Sequence, residues 1–313
     1  MDRRFYELQF EIENACLLDC VHCSSADMRR NGLRRYSDED LLKFISLFMG
    51  KTHIYFTGGE PLLYENLLNL CTQIVTKNEH AEIGLYTTGN CRGGKAISRS
   101  LSEGMARAGI VDCYFSIYSD NEDEHDKWTA TKGSLANTVA SIRALQDNGI
   151  SPKAHLVLNQ INQCKIKQVI EFCQSIGMEE VRILKLTPSG NAIKHWNNIG
   201  IPIEEQNKLI SQLIRDRKDY AVKLTFSGYP DLHPCRPWEN ATVCQAGINL
   251  LYIDADGYVF PCACTKRNPS RFRIGHIAEL NLIQDYLESK DGIINNKMCL
   301  NELSEYEQRM VDI

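Results

Sequence analysis

Three cysteines near the amino end, Cys16, Cys20 and Cys23, stand in the spacing CxxxCxxC, with His22 directly before the last. They follow an alternating, strand-like run over 5–12, so the three sit on a loop leaving a β-strand. Three thiolates on one short loop can hold three irons of a four-iron cluster and leave the fourth iron open to a ligand that is not protein. Zinc is the competing use of such a loop. A structural zinc takes four protein ligands in paired spacings, no matching pair lies nearby, and His22 adjoins Cys23 too closely to complete the set easily.

A second motif, Thr57-Gly58-Gly59-Glu60-Pro61, follows the apolar run His53-Ile54-Tyr55-Phe56 of the next strand. The two motifs, in this order at the ends of successive strands, resemble those of the radical S-adenosylmethionine (SAM) superfamily. The resemblance implies a [4Fe-4S] cluster whose open iron is chelated by the amino and carboxylate groups of SAM. One electron from the cluster then breaks a carbon–sulfur bond, and the 5′-deoxyadenosyl radical so formed takes a hydrogen atom from an unactivated carbon. On the same resemblance Gly58 and Gly59 let backbone approach the ligand closely. Glu60 or the adjacent carbonyls, beside Pro61, would accept hydrogen bonds from the methionine ammonium. His22 would lie against the adenine. Thr88, in the turn Thr87-Thr88-Gly89-Asn90, would contact the ribose, although relatives more usually carry asparagine there. Ser116 and Asn159, after the next two strands, would add polar contacts; for Thr88, Ser116 and Asn159 an ordinary turn or strand role is the alternative.

Towards the other end, Cys244-Gln245-Ala246-Gly247, an apolar run over 250–254, the turn Asp256-Gly257 and Tyr258-Val259-Phe260-Pro261-Cys262 form another unit. Asp-Gly between apolar runs signals a hairpin, which would bring Cys244 and Cys262 together. The unit resembles the SPASM and twitch extensions of radical SAM enzymes, which hold one or two auxiliary iron–sulfur clusters. Ile274-Gly275-His276-Ile277, leading into a helix over 280–287, continues the likeness. No run of closely spaced cysteines follows, so one auxiliary [4Fe-4S] cluster of the twitch type is expected. By resemblance its ligands are Cys235, Cys244, Cys262 and Cys299, with Cys264 able to replace Cys235 or Cys299. Left unligated beside the substrate, Cys264 could instead donate a hydrogen atom to a substrate radical, which would suit an epimerase. With four cysteine ligands the auxiliary cluster would serve more naturally as electron acceptor or relay. A zinc-binding tail that only holds structure is the alternative.

What must position these groups is an alternation of strand-like and helix-like segments from residue 5 to about 185, which implies parallel strands with crossover helices. Strands are expected over 5–12, 53–56, 81–87, 111–118, 153–158 and 181–186. Helices are expected over 38–49 with Ser37 as cap, 62–76, 95–107, 135–146 and 165–175. The fold class is therefore α/β: a partial (β/α)6 TIM-type barrel followed by a small twitch-like α+β iron–sulfur domain. Barrel logic puts reactive groups on loops at the strand C-terminal ends, where these motifs fall. A polar helix over 203–217 would bridge to the second part, giving a barrel over 1–220 and an auxiliary-cluster domain over 221–313.

Composition agrees. A chain of 313 residues, 43% hydrophobic and 24% charged, is long for one compact domain. The net charge of −5 offers no electrostatic case for nucleic acid, and no apolar stretch approaches the length needed to span a membrane. Without a signal-like start, a cytoplasmic enzyme is expected, and its thirteen cysteines point to metal or redox chemistry rather than disulfides. Cys71, Cys91, Cys113, Cys164 and Cys173 are scattered and read as small buried hydrophobes. The basic stretch from Arg29 to Arg35 could meet a flavodoxin-like one-electron donor or an acidic substrate, a solvated loop being the alternative. The acidic stretch from Asp120 to Asp126 is assigned no catalytic role.

The activity expected from the resemblance is that of a radical SAM oxidoreductase or isomerase. Its substrate would be a ribosomally made peptide that is cross-linked, oxidised or epimerised. The cysteine motif begins so early that a leader-peptide-binding domain would have to be a separate partner. The alternative substrate is a small carbohydrate-like metabolite or antibiotic intermediate.

Overall fold

The computed structural model describes residues 6–27, 34–48, 50–229 and 245–289. In chain order its elements are β1 (Tyr6–Glu13), α1 (Asp38–Ile45), β2 (Thr52–Gly58), α2 (Leu67–Lys77), β3 (Ala81–Thr87), and the two-residue strands β4 (Asn90–Cys91) and β5 (Lys95–Ala96). Next come α3 (Arg99–Arg107), β6 (Ile110–Ser116), α4 (Glu122–Thr129), α5 (Ser134–Gln146), β7 (Ser151–Leu158), α6 (Ile166–Ser175) and β8 (Glu180–Lys185). The remainder is α7 (Asn191–Ile199), α8 (Ile203–Asp216), β9 (Lys223–Ser227), β10 (Leu250–Ile253), β11 (Tyr258–Phe260), α9 (Pro269–Phe272), β12 (Gly275–His276) and α10 (Leu280–Glu288).

Ten strands form one sheet in the order β12-β11-β10-β1-β2-β3-β6-β7-β8-β9. The pairs from β10 through β9 are parallel; β11 and β12 turn antiparallel at one edge. This is the expected partial barrel, lengthened by β9 beside β8. The sheet is continuous across residue 220, because α8 acts as an ordinary crossover from β8 to β9 and β10 returns to pair with β1.

Alternation along the strands assigns the two faces. Leu8, Phe10, Ile12, Ile54, Phe56, Ile83, Leu85, Phe115, Leu156 and Ile183 belong to one buried core with Leu41, Phe44, Leu70, Ile74, Ile142 and Ile170 of the helices. Cys71, Cys113 and Cys173 sit in that core as small apolar residues, whereas Cys91 is half-buried and Cys164 exposed. The intervening positions carry polar and aromatic groups that satisfy one another: Tyr55 donates to Asp112, Tyr86 to Glu7 and Tyr114 to Glu180.

Local signals explain most boundaries. Ser37 and Asp40 form a capping box at the start of α1. Two helices begin later than their sequence suggests. Pro61–Leu63 is a separate 3-10 turn, capped by the Glu60 side chain, so α2 starts only at Leu67. Gly93 (φ +77°) and Gly94 (φ +66°) turn the chain between β4 and β5, so α3 starts at Arg99 behind its Ser98 cap.

Candidate active site

The loop after β1 carries Cys16, Cys20 and Cys23 at the C-terminal end of the parallel strands. All three carry thiols rather than disulfides; Cys20 is buried and the other two are half-buried. The loop is gripped from several sides by backbone and amide hydrogen bonds. Gly59 N donates to Glu13 O (2.7 Å) and Glu60 N to Ala15 O (2.8 Å), tying the two sequence motifs together directly. Asp19 N and Val21 N donate to Thr129 O and Trp128 O at the end of α4 (3.2 and 3.0 Å). Asn191, first residue of α7, donates through its backbone to Cys23 O (3.0 Å) and through its side chain to Cys20 O (3.3 Å).

Both glycines of the second motif are required by this approach. A Cβ at Gly58, where φ is +128°, would lie 2.0 Å from Glu13 O, and one at Gly59 would lie 2.0 Å from Ala15 O. Glu60 is fully buried, and its carboxylate accepts from Leu62 N, Thr87 Oγ1, Thr88 N and Thr88 Oγ1 at 3.1, 2.6, 2.7 and 2.6 Å. Burial pushes its carboxyl up in pKa and these donors pull against it. Glu60 therefore joins the β2 and β3 loops with its acceptor oxygens already engaged, and Pro61 opens the turn beside it.

Thr88 spends its hydroxyl on Glu60, while its carbonyl accepts from Asn90 and Thr138. Asn159, 1% exposed, folds its own turn: Oδ1 accepts from Ile161 N and Asn162 N, and Nδ2 donates to Val157 O. Ser116, at the end of β6, is half-buried, and its carbonyl lies 3.4 Å from His125 Nε2. His22 stacks on Trp128 (5.1 Å, 21°) and meets Tyr118 edge-on (4.8 Å).

Tyr118 is buried beside His22. Burial, then the charge of Cys20 with those of Cys23 and Cys16, push its phenol far up. Tyr118, Trp128 and the Gly190-Asn191 start of α7 are site residues that sequence reasoning missed. The one signal was Pro188-Ser189-Gly190-Asn191, a turn cluster after β8. Asp126, in the acidic stretch, caps the start of α5 through Gly133 N, Ser134 Oγ and Leu135 N.

Among the described residues no three His, Cys, Asp or Glu side chains converge to hold a single metal ion. An iron–sulfur cluster makes a different demand, one thiolate for each of several irons, so its ligands ring a volume rather than meet at a point. Three thiols on a loop pinned by its backbone, with Cβ-free backbone alongside, fit such a group.

In the extension, β10 and β11 form the hairpin expected around Asp256-Gly257. Cys262 and Cys264 lie just beyond it, each half-buried. Cys235, Cys244 and Cys299 lie outside the described residues, as does most of the basic stretch, at 29–33. Asp254 Oδ1 caps the hairpin turn by accepting from Asp256 N and Tyr258 N, and burial raises its carboxyl to a pKa of about 6. Folded Asp254 keeps its proton where the unfolded group, near 3.8, has lost it, so this group's contribution falls as pH rises from about 4 to 6. Asp254→Asn keeps the acceptor and removes the ionisation. Thermal melts should show that the variant lacks this decline and is more stable at pH 7 by about 3 kcal/mol.

A partial parallel barrel with a three-cysteine loop after its first strand and a Gly-Gly-Glu-Pro turn after its second defines one class of enzyme. The chain belongs to the radical SAM superfamily, whose family model matches residues 10–173. Enzymes of this family use a [4Fe-4S] cluster and SAM. Among curated proteins the chain is similar to a probable GTP 3′,8-cyclase of Metallosphaera sedula, at 23% identity covering 83% of this chain and 81% of that protein. It is also similar to the sporulation killing factor maturation protein SkfB of Bacillus subtilis, at 24% identity covering 86% of this chain and 62% of that protein. The fold matches that of Streptococcus suis SuiB bound to S-adenosylmethionine, with a TM-score of 0.69 at 14% identity over 92% of this chain and 67% of SuiB. A further SuiB structure is bound to the precursor peptide SuiA, with a TM-score of 0.66. No described helix is long and apolar enough to cross a membrane.

Proposed function

We propose that the protein is a cytoplasmic oxidoreductase or isomerase that modifies an unactivated carbon of a ribosomally synthesised peptide, by cross-linking, oxidation or epimerisation. The observation that carries the chemistry is the pair of hydrogen bonds from Gly59 and Glu60 to Glu13 and Ala15, which set the SAM-binding turn against the cysteine loop. Support for a peptide comes from SkfB, a maturation protein, and from SuiB, which binds a precursor peptide.

In this reading Cys16, Cys20 and Cys23 hold the cluster, which with SAM supplies one-electron cleavage and abstraction of a hydrogen atom. The backbone carbonyls around Gly58 and Gly59 accept from the methionine ammonium, and Glu60 orients them by fixing Thr87 and Thr88. His22, backed by Trp128 and Tyr118, offers an aromatic face to the adenine. Ser116 supplies a polar contact to SAM, and Thr88 and Asn159 shape the turns around it. The extension beyond about residue 220 holds one auxiliary cluster through Cys262 with Cys235, Cys244 and Cys299. A flavodoxin-like protein supplies electrons, and a separate protein presents the leader of the peptide.

The test is anaerobic reconstitution with iron, sulfide, SAM and reductant, followed by measurement of 5′-deoxyadenosine. A colourless zinc protein that makes none would overturn the reading. The similarity to the GTP cyclase favours a second reading, a small-molecule substrate such as a carbohydrate-like metabolite. A short peptide reading frame among the neighbouring genes supports the first, and sugar-modifying genes the second.

For the epimerisation outcome, Cys264 is assigned as a hydrogen-atom donor: its S–H bond breaks, a C–H bond forms on the substrate radical, and an external one-electron donor with a solvent proton restores the thiol. In D2O the product should carry deuterium at the altered carbon. Cys264→Ala should keep forming 5′-deoxyadenosine while product falls at least tenfold; unchanged product with unchanged label would remove Cys264 from that role.

A further inference from the structure

The turn that carries Cys262 and Cys264 ends in two adjacent cations, Lys266 and Arg267, and both reach to the cysteine loop. Lys266 is 4% exposed. Its ammonium meets Glu11 Oε1 at 2.5 Å, donates to Ser25 Oγ at 2.8 Å and lies 3.4 Å from the Tyr252 hydroxyl. Glu11, 6% exposed, also accepts from Tyr252 (2.5 Å) and from Ala255 N (2.9 Å). Arg267 grips Asp27 with two hydrogen bonds of 2.7 and 2.6 Å and donates to Ser24 O. Ser24, Ser25 and Asp27 are the residues that follow Cys23.

Stability alone is a poor reason for such a pair. Desolvating two charges is costly, and well-packed apolar residues often serve as well or better. Ion pairs of this kind matter where charge or exact registry matters. We propose that Lys266 and Arg267 are positioning residues for the centre held by Cys16, Cys20 and Cys23: they fix the loop beyond Cys23 and set how readily that centre accepts its electron. The inference rests on reading those three cysteines as cluster ligands. A centre that takes up an electron gains negative charge, and a fixed cation in a dry setting favours that state. Each cation has its own counter-ion, so removing either member of a pair leaves net charge of opposite sign beside the loop.

The test is a redox titration of the full-length, anaerobically reconstituted protein, read by EPR. The signal that changes on adding SAM identifies the centre with the open iron. Lys266→Met and Arg267→Gln should lower its midpoint potential, and Glu11→Gln and Asp27→Asn should raise it. For the buried pair the expected shift is at least tenfold in the ratio of reduced to oxidised centre at fixed potential, which is 59 mV for one electron. Lys266→Arg should stay near the wild type. A merely structural clamp would move both members of a pair the same way or not at all, and that result overturns the proposal. The Arg267–Asp27 pair is at the surface, with side chains 20% and 51% exposed, so its variants carry the sign test even where the buried ones fail to retain a centre. If the wild type itself gives no SAM-sensitive signal, the reading of the three cysteines fails instead.

Discussion

Replacing any one of Cys16, Cys20 and Cys23 with alanine should reduce 5′-deoxyadenosine formation to background and strip iron from the N-terminal centre, while the barrel stays folded. The two consequences separate because the loop's anchors are backbone and amide groups. Gly59 to Glu13, Val21 to Trp128 and Asn191 to Cys23 are hydrogen bonds that a change of side chain at a cysteine leaves in place. Circular dichroism should therefore match the wild type, and iron analysis, EPR and product chromatography should not. Cys71→Ala is the control. Cys71 is fully buried against the outer face of the sheet, so its loss should cost about 1 kcal/mol in stability and leave SAM cleavage intact. SAM cleavage by a Cys20→Ala variant at the wild-type rate would end the assignment.

Gly59→Ala should be nearly as damaging, by a different route. The added Cβ would sit 2.0 Å from Ala15 O and 2.5 Å from Ala15 C, both main-chain atoms with no rotamer to yield. One of the two loops must move, and the hydrogen bonds Gly59 N to Glu13 O and Glu60 N to Ala15 O go with it. Two bonds and a forced backbone shift cost about 3 kcal/mol in stability. Affinity for SAM should fall at least tenfold, measured by equilibrium dialysis on the reconstituted protein. Gly94→Ala makes the comparison. Nothing lies within 4 Å of its Cβ position, so only its φ of +66° resists the change, at about 1 kcal/mol and with SAM binding unaffected. A Gly59→Ala protein that binds SAM like the wild type would separate the turn from the ligand.

The difference between those two glycines also marks how much of this molecule its sequence discloses. Cysteine spacing and the Gly-Gly-Glu-Pro run are local, and so are the alternating strands and the Ser37 cap, so they can be read directly. What Glu60 does is not local. Its residue type suggests a partner for an ammonium, yet its oxygens are engaged by Thr87 and Thr88, which approach only when β2 pairs with β3. Asn159 is similar: a polar residue after a strand that turns out to satisfy its own turn. Trp128 and Asn191 were invisible for the opposite reason. Their contacts with the cysteine loop span more than a hundred residues of chain, and no spacing rule connects them. Helix starts slipped where a side chain or a glycine pair overrode propensity, as Glu60 does before α2 and Gly93-Gly94 before α3.

The pairing of β1 with β10 has a consequence for how the protein is made. Glu7 lies opposite Leu250 and Phe10 opposite Ile253, so one side of the earliest strand finds its neighbour only after nearly the whole described chain has left the ribosome. Until then β1 presents a bare row of amides and carbonyls, a template for pairing with other nascent chains. Contacts so distant in sequence also form slowly. Translation in the cell would therefore reward a chaperone that shields this strand, and a culture grown cool should yield more folded protein than one grown warm.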